Sequence, residues 1–219
     1  MSAARPVALE RQRDPERTKA EILDVAFAEF ARRGYDGARV DEIAALTRTT
    51  KRMIYYYFGG KEQLFTAVLE RAYAEVREAE AAIDVEHLEP VEAIRRLAEL
   101  TFDHHQDHPD FIRLVSIENI HHAEHLRTSQ TLADLGAPVI ELISRILVAG
   151  RASGVFRTEA DAIDVHMMIS AFCVFNVANQ YTFHALFDRD LIAPEQRPRH
   201  RAMIGEMVVA YLTGAGRRP

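Results

Sequence analysis

The chain has 219 residues, 48% hydrophobic and 27% charged, without low-complexity tracts, a composition that belongs to soluble globular proteins and excludes fibrous and disordered classes. Its single cysteine, Cys173, excludes an intramolecular disulfide and a cysteine-based structural zinc site. The formal charge of −6 speaks against a generic nucleic-acid binder, yet residues 1–60 hold eleven Lys/Arg against nine Asp/Glu, so a mildly basic front precedes an acidic remainder.

Residues 1–15 read as a flexible basic arm. They lack an apolar core of signal-peptide length and no later run approaches a membrane span, so a cytoplasmic location without membrane contact is expected. From residue 16 to residue 212 apolar residues recur at spacings of three and four, strand-like alternation is scarce, and an all-α chain of about nine helices is expected. Asp14-Pro15 starts the first, with Asp as N-cap and Pro where its missing N–H costs nothing. Its stripe of Ile22, Leu23, Ala26, Phe27 and Phe30 faces a core, and Gly34 after Arg32-Arg33 supplies a left-handed exit. A short second helix is predicted over 40–46, with Val40, Ile43 and Ala44 inward, and a third begins at Thr50. Both need support from the first helix and from a fourth over 61–83, through Leu64, Val68 and Leu69. Pro90 and Pro109 open the fifth and sixth, and Pro138 interrupts or kinks a seventh that ends near Ser153-Gly154. An eighth, capped by Thr158 and reaching about Phe187, is apolar nearly all round; a ninth covers about 199–212.

The segment RVDEIAALTRTTKRMIYYYF, residues 39–58, places two short helices around a turn of three or four residues, the spacing of a helix-turn-helix. In the second of them Ile54 and Phe58, four apart, fix the buried side. Lys51, Arg52, Tyr55 and Tyr56 therefore share the open side. Thr50 as N-cap leaves free N–H groups at the helix start, which suit a phosphate. On spacing alone such a face also suits the solvated side of an ordinary helical hairpin; the surrounding sequence distinguishes the two.

Phe30, Gly34-Tyr35, Val40, Ile43-Ala44, Tyr55-Tyr56-Tyr57-Phe58 and Lys61-Glu62-Leu64 stand in one order and spacing, and the stretch 17–69 that holds them resembles the N-terminal domain of the TetR family. Two positions depart from that pattern. Thr47-Arg48-Thr49 stands where the family usually has a small Ala-Gly-Val turn, leaving the turn's path and a left-handed Arg48 open. Arg39 stands where it usually has Thr, implying a weaker cap and more attraction for phosphate. The resemblance implies DNA backbone or base contacts from Arg39, Thr50, Lys51, Arg52, Tyr55, Tyr56 and Lys61. It implies a three-helix DNA-binding domain over 16–60 and a larger helical domain over 61–219. In that second domain the eighth and ninth helices form a homodimer interface, and the middle helices surround a cavity for a small organic effector. The expected function is a ligand-responsive transcriptional regulator, a repressor that holds a palindromic double-stranded operator as a dimer.

Six of the ten histidines lie between residues 104 and 125: His104, His105, His108, His121, His122 and His125. His104/His108 and His121/His125 are four apart, and Glu118/His121 has the Glu-x-x-His spacing of di-iron bundles, so a helical metal-binding or catalytic protein is the alternative reading. The second Glu-x-x-His that such a bundle needs is missing from the sequence. No metal, cofactor or catalytic residue is therefore expected, and the chain is read as a non-enzyme. Phe102, His121, Phe175, Asn176 and Asn179 are the candidate ligand contacts, because buried amides must find a partner and His121 lies beside apolar Ile117 and Ile120. Asn176 and Asn179 equally suit the dimer face. Cys173 reads as a buried, inert thiol.

Overall fold

The computed structural model describes residues 14–47, 49–83 and 87–214. Most of the N-terminal arm, and the conformation of Arg48, lie outside those residues. The described residues form eleven helices without a strand: α1 Pro15–Gly37, α2 Val40–Leu46, α3 Lys51–Phe58, α4 Lys61–Ala81, α5 Pro90–Asp107, α6 Pro109–Ile120, α7 Glu124–Thr128, α8 Gln130–Ala152, α9 Ala162–Ala178, α10 Gln180–Phe187 and α11 Arg197–Thr213. The all-α expectation holds, with a different count. The expected eighth helix is two, α9 and α10, bent by 67° at Asn179, and α7 is a short piece that periodicity does not mark.

Local sequence accounts for most helix ends. The Asp14 carboxylate accepts from the Glu16 amide and Pro15 occupies the first turn of α1. Gly34 (φ 74°, ψ 171°) breaks α1 one turn early, and no neighbouring atom would obstruct a Cβ there, so backbone conformation alone demands glycine. The break swings Tyr35 toward Phe65, 5.1 Å away between ring centroids. Asp161, and not Thr158, caps α9 by accepting from Ile163 N–H; the Thr158 hydroxyl donates to the Tyr211 carbonyl. Pro138 sits inside an uninterrupted α8.

Two main cores result. The first joins α1, α2, α3 and the front of α4 through Ile22, Phe30, Ile43, Ile54, Leu64 and Phe65, all fully buried, and takes in Leu114 of α6 and Leu132 of α8. The second joins α5, α8, α9 and α11 through residues such as Ile94, Phe102, Val165, Cys173 and Ile204. Guanidinium–carboxylate bridges pin α11 to α5: Arg197 holds Asp103 and Asp107, and Arg201 holds Glu99 and Asp103, at 2.6–3.0 Å. Helix α4 belongs to both halves, with Leu64 to Leu69 in the first core and Ala72 and Val76 packed on Phe111 and Ile112 of α6.

Candidate DNA-binding face and regulatory cavities

The face expected on the third helix is present. Ile54 is fully buried while Lys51, Arg52, Tyr55 and Tyr56 are exposed, Tyr56 to 77%. The Thr50 hydroxyl accepts from Met53 N–H and so caps α3, fixing the orientation of its open N-terminus. Arg39 occupies the N-cap position of α2 without any side-chain capping bond, in line with the weaker cap expected there, and its side chain is exposed. Lys51 forms an exposed ion pair with Asp41 at 3.1 Å. Lys61 differs from its neighbours: it lies over the Tyr35 ring at 4.7 Å and donates to the Asp36 carbonyl, so it also ties α4 to the end of α1. Behind the face, Glu29 bridges Arg32 and Arg33, and Arg33 reaches Glu42 at 2.9 Å, which locks α2 to α1.

Where this head meets the body, one carboxylate organises the contact. Glu118 of α6 is 1% exposed. It accepts from the amides of His125 and Leu126 at 2.8 and 3.0 Å and from His125 Nδ1 at 3.0 Å. The His125 ring packs on Tyr35 (4.5 Å) and Phe65 (4.7 Å). Between them His122 and Ala123 both have positive φ, 56° and 59°, a turn that side-chain-bearing residues adopt at a cost. His121 faces Asp36 at 3.8 Å and the edge of Tyr35. It therefore lies at the junction of head and body, and Ile120 beside it is exposed.

The five candidate ligand contacts are not brought together. Only Phe175 and Asn176 line a common space, a largely apolar groove of about 480 Å³ between α9, α10 and α11 that also includes Met168, Phe172, Met203 and Met207. Asn176 is buried and its amide donates to the Phe172 carbonyl of its own helix. Phe102 is fully buried in the body core, 6.2 Å from the Phe172 ring. Asn179 ends α9, and its carbonyl accepts from Phe183 N–H and the Thr182 hydroxyl. On α11, Val208 and Leu212 are fully buried within their own subunit, while Met207 and Tyr211 hold the open side.

A second cavity, of about 140 Å³, lies between α4, α5, α6 and α9 and includes Tyr73, Arg77, Glu80, His105, Phe111 and His166 in its lining. Burial pushes His105 down to about 4, helped by neighbouring His104, and lowers His166. Burial also raises the Glu80 carboxyl to about 7 against the pull of Arg77. Sequence reading passes over this set because Arg77-Glu80, three apart on a helix, is the usual pattern of a solvated surface pair. Their signal is register: Leu69, Tyr73, Val76 and Glu80 continue the inward face of α4. Among the described residues no group of three or more His, Cys, Asp or Glu is arranged to hold a metal ion. Glu118, the carboxylate of the di-iron-like spacing, is occupied by His125 and two amides. Burial pushes the Cys173 thiol up to about 12, as for an inert core cysteine.

A short capped helix presenting two cations and two phenols, set beside a second short helix on a common core, makes the front of the chain a helix-turn-helix DNA-binding head. Residues 22–68 match the family model described as bacterial regulatory proteins, tetR family, and residues 90–208 match the tetracyclin repressor-like C-terminal domain. The chain is 33% identical over 202 residues to the HTH-type transcriptional repressor NicS of Pseudomonas putida, covering 92% of this chain and 95% of that protein. It is 43% identical over 110 residues to the HTH-type transcriptional repressor SCO4008 of Streptomyces coelicolor, about half of each chain. A solved transcriptional regulator of Streptomyces coelicolor, SCO4942, superposes with a TM-score of 0.68 at 28% identity, over 87% of this chain and 97% of that one. The chain belongs to the TetR family of bacterial transcriptional regulators, and it regulates transcription by binding DNA.

Proposed function

We propose that this regulator is a cytoplasmic, non-enzymatic repressor that holds a near-palindromic operator as a homodimer and leaves it when a small organic effector fills its body. The exposed Lys51, Arg52, Tyr55, Tyr56 face of α3 carries the reading. Arg52 reads a base edge in the major groove, Lys51 and Arg39 hold phosphates, and the capped start of α3 at Thr50 offers amides to a further phosphate. Tyr55, Tyr56 and Lys61 contact the backbone beside them. The head proper is residues 16–60, and the body that follows, 61–219, carries the effector site and the dimer interface. The interface is formed by α9 and α11, supported by the apolar side chains left open there: Phe175, Met207 and Tyr211 are each nearly half exposed, and Ile163 and Met167 more so. A two-fold axis through that face sets two heads on symmetric half-sites.

Footprinting with binding isotherms at several salt concentrations tests the reading. Arg52→Ala is expected to cost about 1–3 kcal/mol and relax preference at one base position. Lys51→Ala is expected to weaken all sequences alike and to flatten the salt slope by about 2, one phosphate per subunit. An asymmetric footprint, or a double variant with wild-type affinity, refutes the assignment.

A further inference from the structure

The cavity between α4, α5, α6 and α9 contains polar atoms that the protein leaves without partners. Arg77 Nη1 approaches Glu80 Oε2 at 2.6 Å as an ion pair, but the two make no well-directed hydrogen bond, and Arg77 Nε has no acceptor at all. Glu80 is 3% exposed and His105 5%. His105 Nδ1 faces the Thr101 carbonyl of its own helix without a well-directed hydrogen bond. Buried polar atoms are nearly always satisfied, so this grouping marks a place where another molecule completes the bonding. The donors specify its chemistry. A guanidinium presents two planar forks, Nε with Nη2 and Nη1 with Nη2, and each matches two oxygens of one carboxylate, whereas an amide or alcohol fills only one prong.

The remaining walls set its size and shape. Tyr73, Val76, Phe111, Ile112, Val115 and Val174 are apolar or aromatic, Thr101, His166 and Ser170 add polar lining, and about 140 Å³ is close to the roughly 150 Å³ of cavity known to accommodate one benzene ring. Arg77 and Glu80 also line a separate hollow of about 210 Å³ between α4 and α8. Burial favours the protonated form of Glu80, which weakens its hold on the Arg77 cation.

We propose that this inner cavity is the effector site and that its ligand is a small organic carboxylate, about one ring in size, whose two oxygens take the Arg77 hydrogens in place of Glu80. The proposal rests on the reading of the chain as an effector-released repressor, and it gives release a starting point. Arg77 and Tyr73 stand on the helix whose first turns carry Leu64 and Phe65 of the head core, so a ligand that moves Arg77 pulls on the element shared by both halves.

The experiment measures binding of single-ring carboxylates, with benzoate as the parent, and of their matched amides to the full chain by calorimetry, with operator release followed in parallel. Carboxylates are expected to bind at least about tenfold tighter than the amides, the ratio of a charge-assisted bidentate contact to a neutral one. The preference should vanish in Arg77→Met/Glu80→Gln, which removes both charges together. Glu80→Gln alone keeps the fork, removes its competitor, and should tighten carboxylate binding, so the proposal stays testable if the double variant fails to fold. Amides that bind equally well, a preference that survives in a folded double variant, or no binding by either series overturns it. Carboxylates that bind as expected but leave the operator occupied would retain the site and remove the release reading. Release driven equally by neutral compounds would retain release and remove the carboxylate.

Discussion

Replacing Glu118 by alanine removes the acceptor that holds α7 and the His122-Ala123 turn against the head. Two backbone amides, at 2.8 and 3.0 Å, and one imidazole nitrogen then lie unpaired in a place where the carboxylate itself was 1% exposed. Each orphaned buried amide costs about 1–3 kcal/mol, and removing one member of a buried charged network costs about 3–5 kcal/mol in total. Part is recovered, because α7 is only five residues long and its unravelling also frees the two left-handed residues, worth about 1–2 kcal/mol each. The net expectation is about 1–2 kcal/mol, which for a chain of this size lowers the melting midpoint by about 2–8 °C. Glu118→Gln keeps an oxygen for the amides and should cost about a third as much. Thermal unfolding at fixed protein concentration measures both, and amide exchange at residues 124–128 locates the change. A Glu118→Ala protein that melts within 2 °C of wild type with undisturbed exchange refutes the tether.

Two further outcomes are expected. Phe175→Asp or Met207→Asp, placing an unpaired charge in the α9–α11 face, should turn the dimer into monomer by sedimentation at micromolar concentration, since such a charge costs several kcal/mol when buried; a wild-type protein that is itself monomeric there removes the interface. The His105 contribution to stability should rise between about pH 4 and 6.5, because the folded state holds this nearly buried imidazole neutral down to about 4, where the unfolded chain protonates it. One such group is worth about 3 kcal/mol, present above pH 6.5 and lost as pH falls toward 4. Glu80 opposes it: with its carboxyl raised to about 7 the folded state keeps an extra proton, so its contribution falls as pH rises from about 4.5 to 7. Urea midpoints should therefore climb less steeply with pH in His105→Gln and more steeply in Glu80→Gln, and unchanged slopes in both would refute the assignment.

The residues that sequence reading located are those whose position follows from the helix they belong to. Ile54 and Phe58 define the inner side of α3, so the exposure of Lys51, Arg52, Tyr55 and Tyr56 follows from 100° per residue without knowledge of any neighbour. Asp14, Thr50 and the helix-opening prolines work equally locally. The candidate effector contacts are different in kind, because periodicity reports that a residue is covered and says nothing about what covers it. Phe102 of α5 and Phe175 of α9 are both phenylalanines within helices, yet one is sealed between α5 and α9 and the other opens onto the α9–α11 groove. The break at Asn179 is equally silent, since neither glycine nor proline stands there and the two helices share an apolar composition.

Helix α4 joins these two kinds of information. Its first half was legible because Leu64, Val68 and Leu69 repeat at helical spacing toward the short helices that need support. Its second half was not, because Arg77 and Glu80 become internal only when α5, α6 and α9 fold over them. Arg77 stands twelve residues beyond Phe65, about 18 Å along the axis at 1.5 Å per residue. A helix transmits displacement over that length better than a loop does, since bending it strains backbone hydrogen bonds along the whole span. The head end of α4 is further bound to α1 by Lys61 on Asp36 and by Arg71 on Asp24 at 2.8 Å. Under the proposed release, a shift at Arg77 is expected to reach α1 and Tyr35, and through Tyr35 the His125–Glu118 contact. The polar residues hardest to assign from sequence are thus the ones placed where an internal contact can alter the setting of the DNA-binding face.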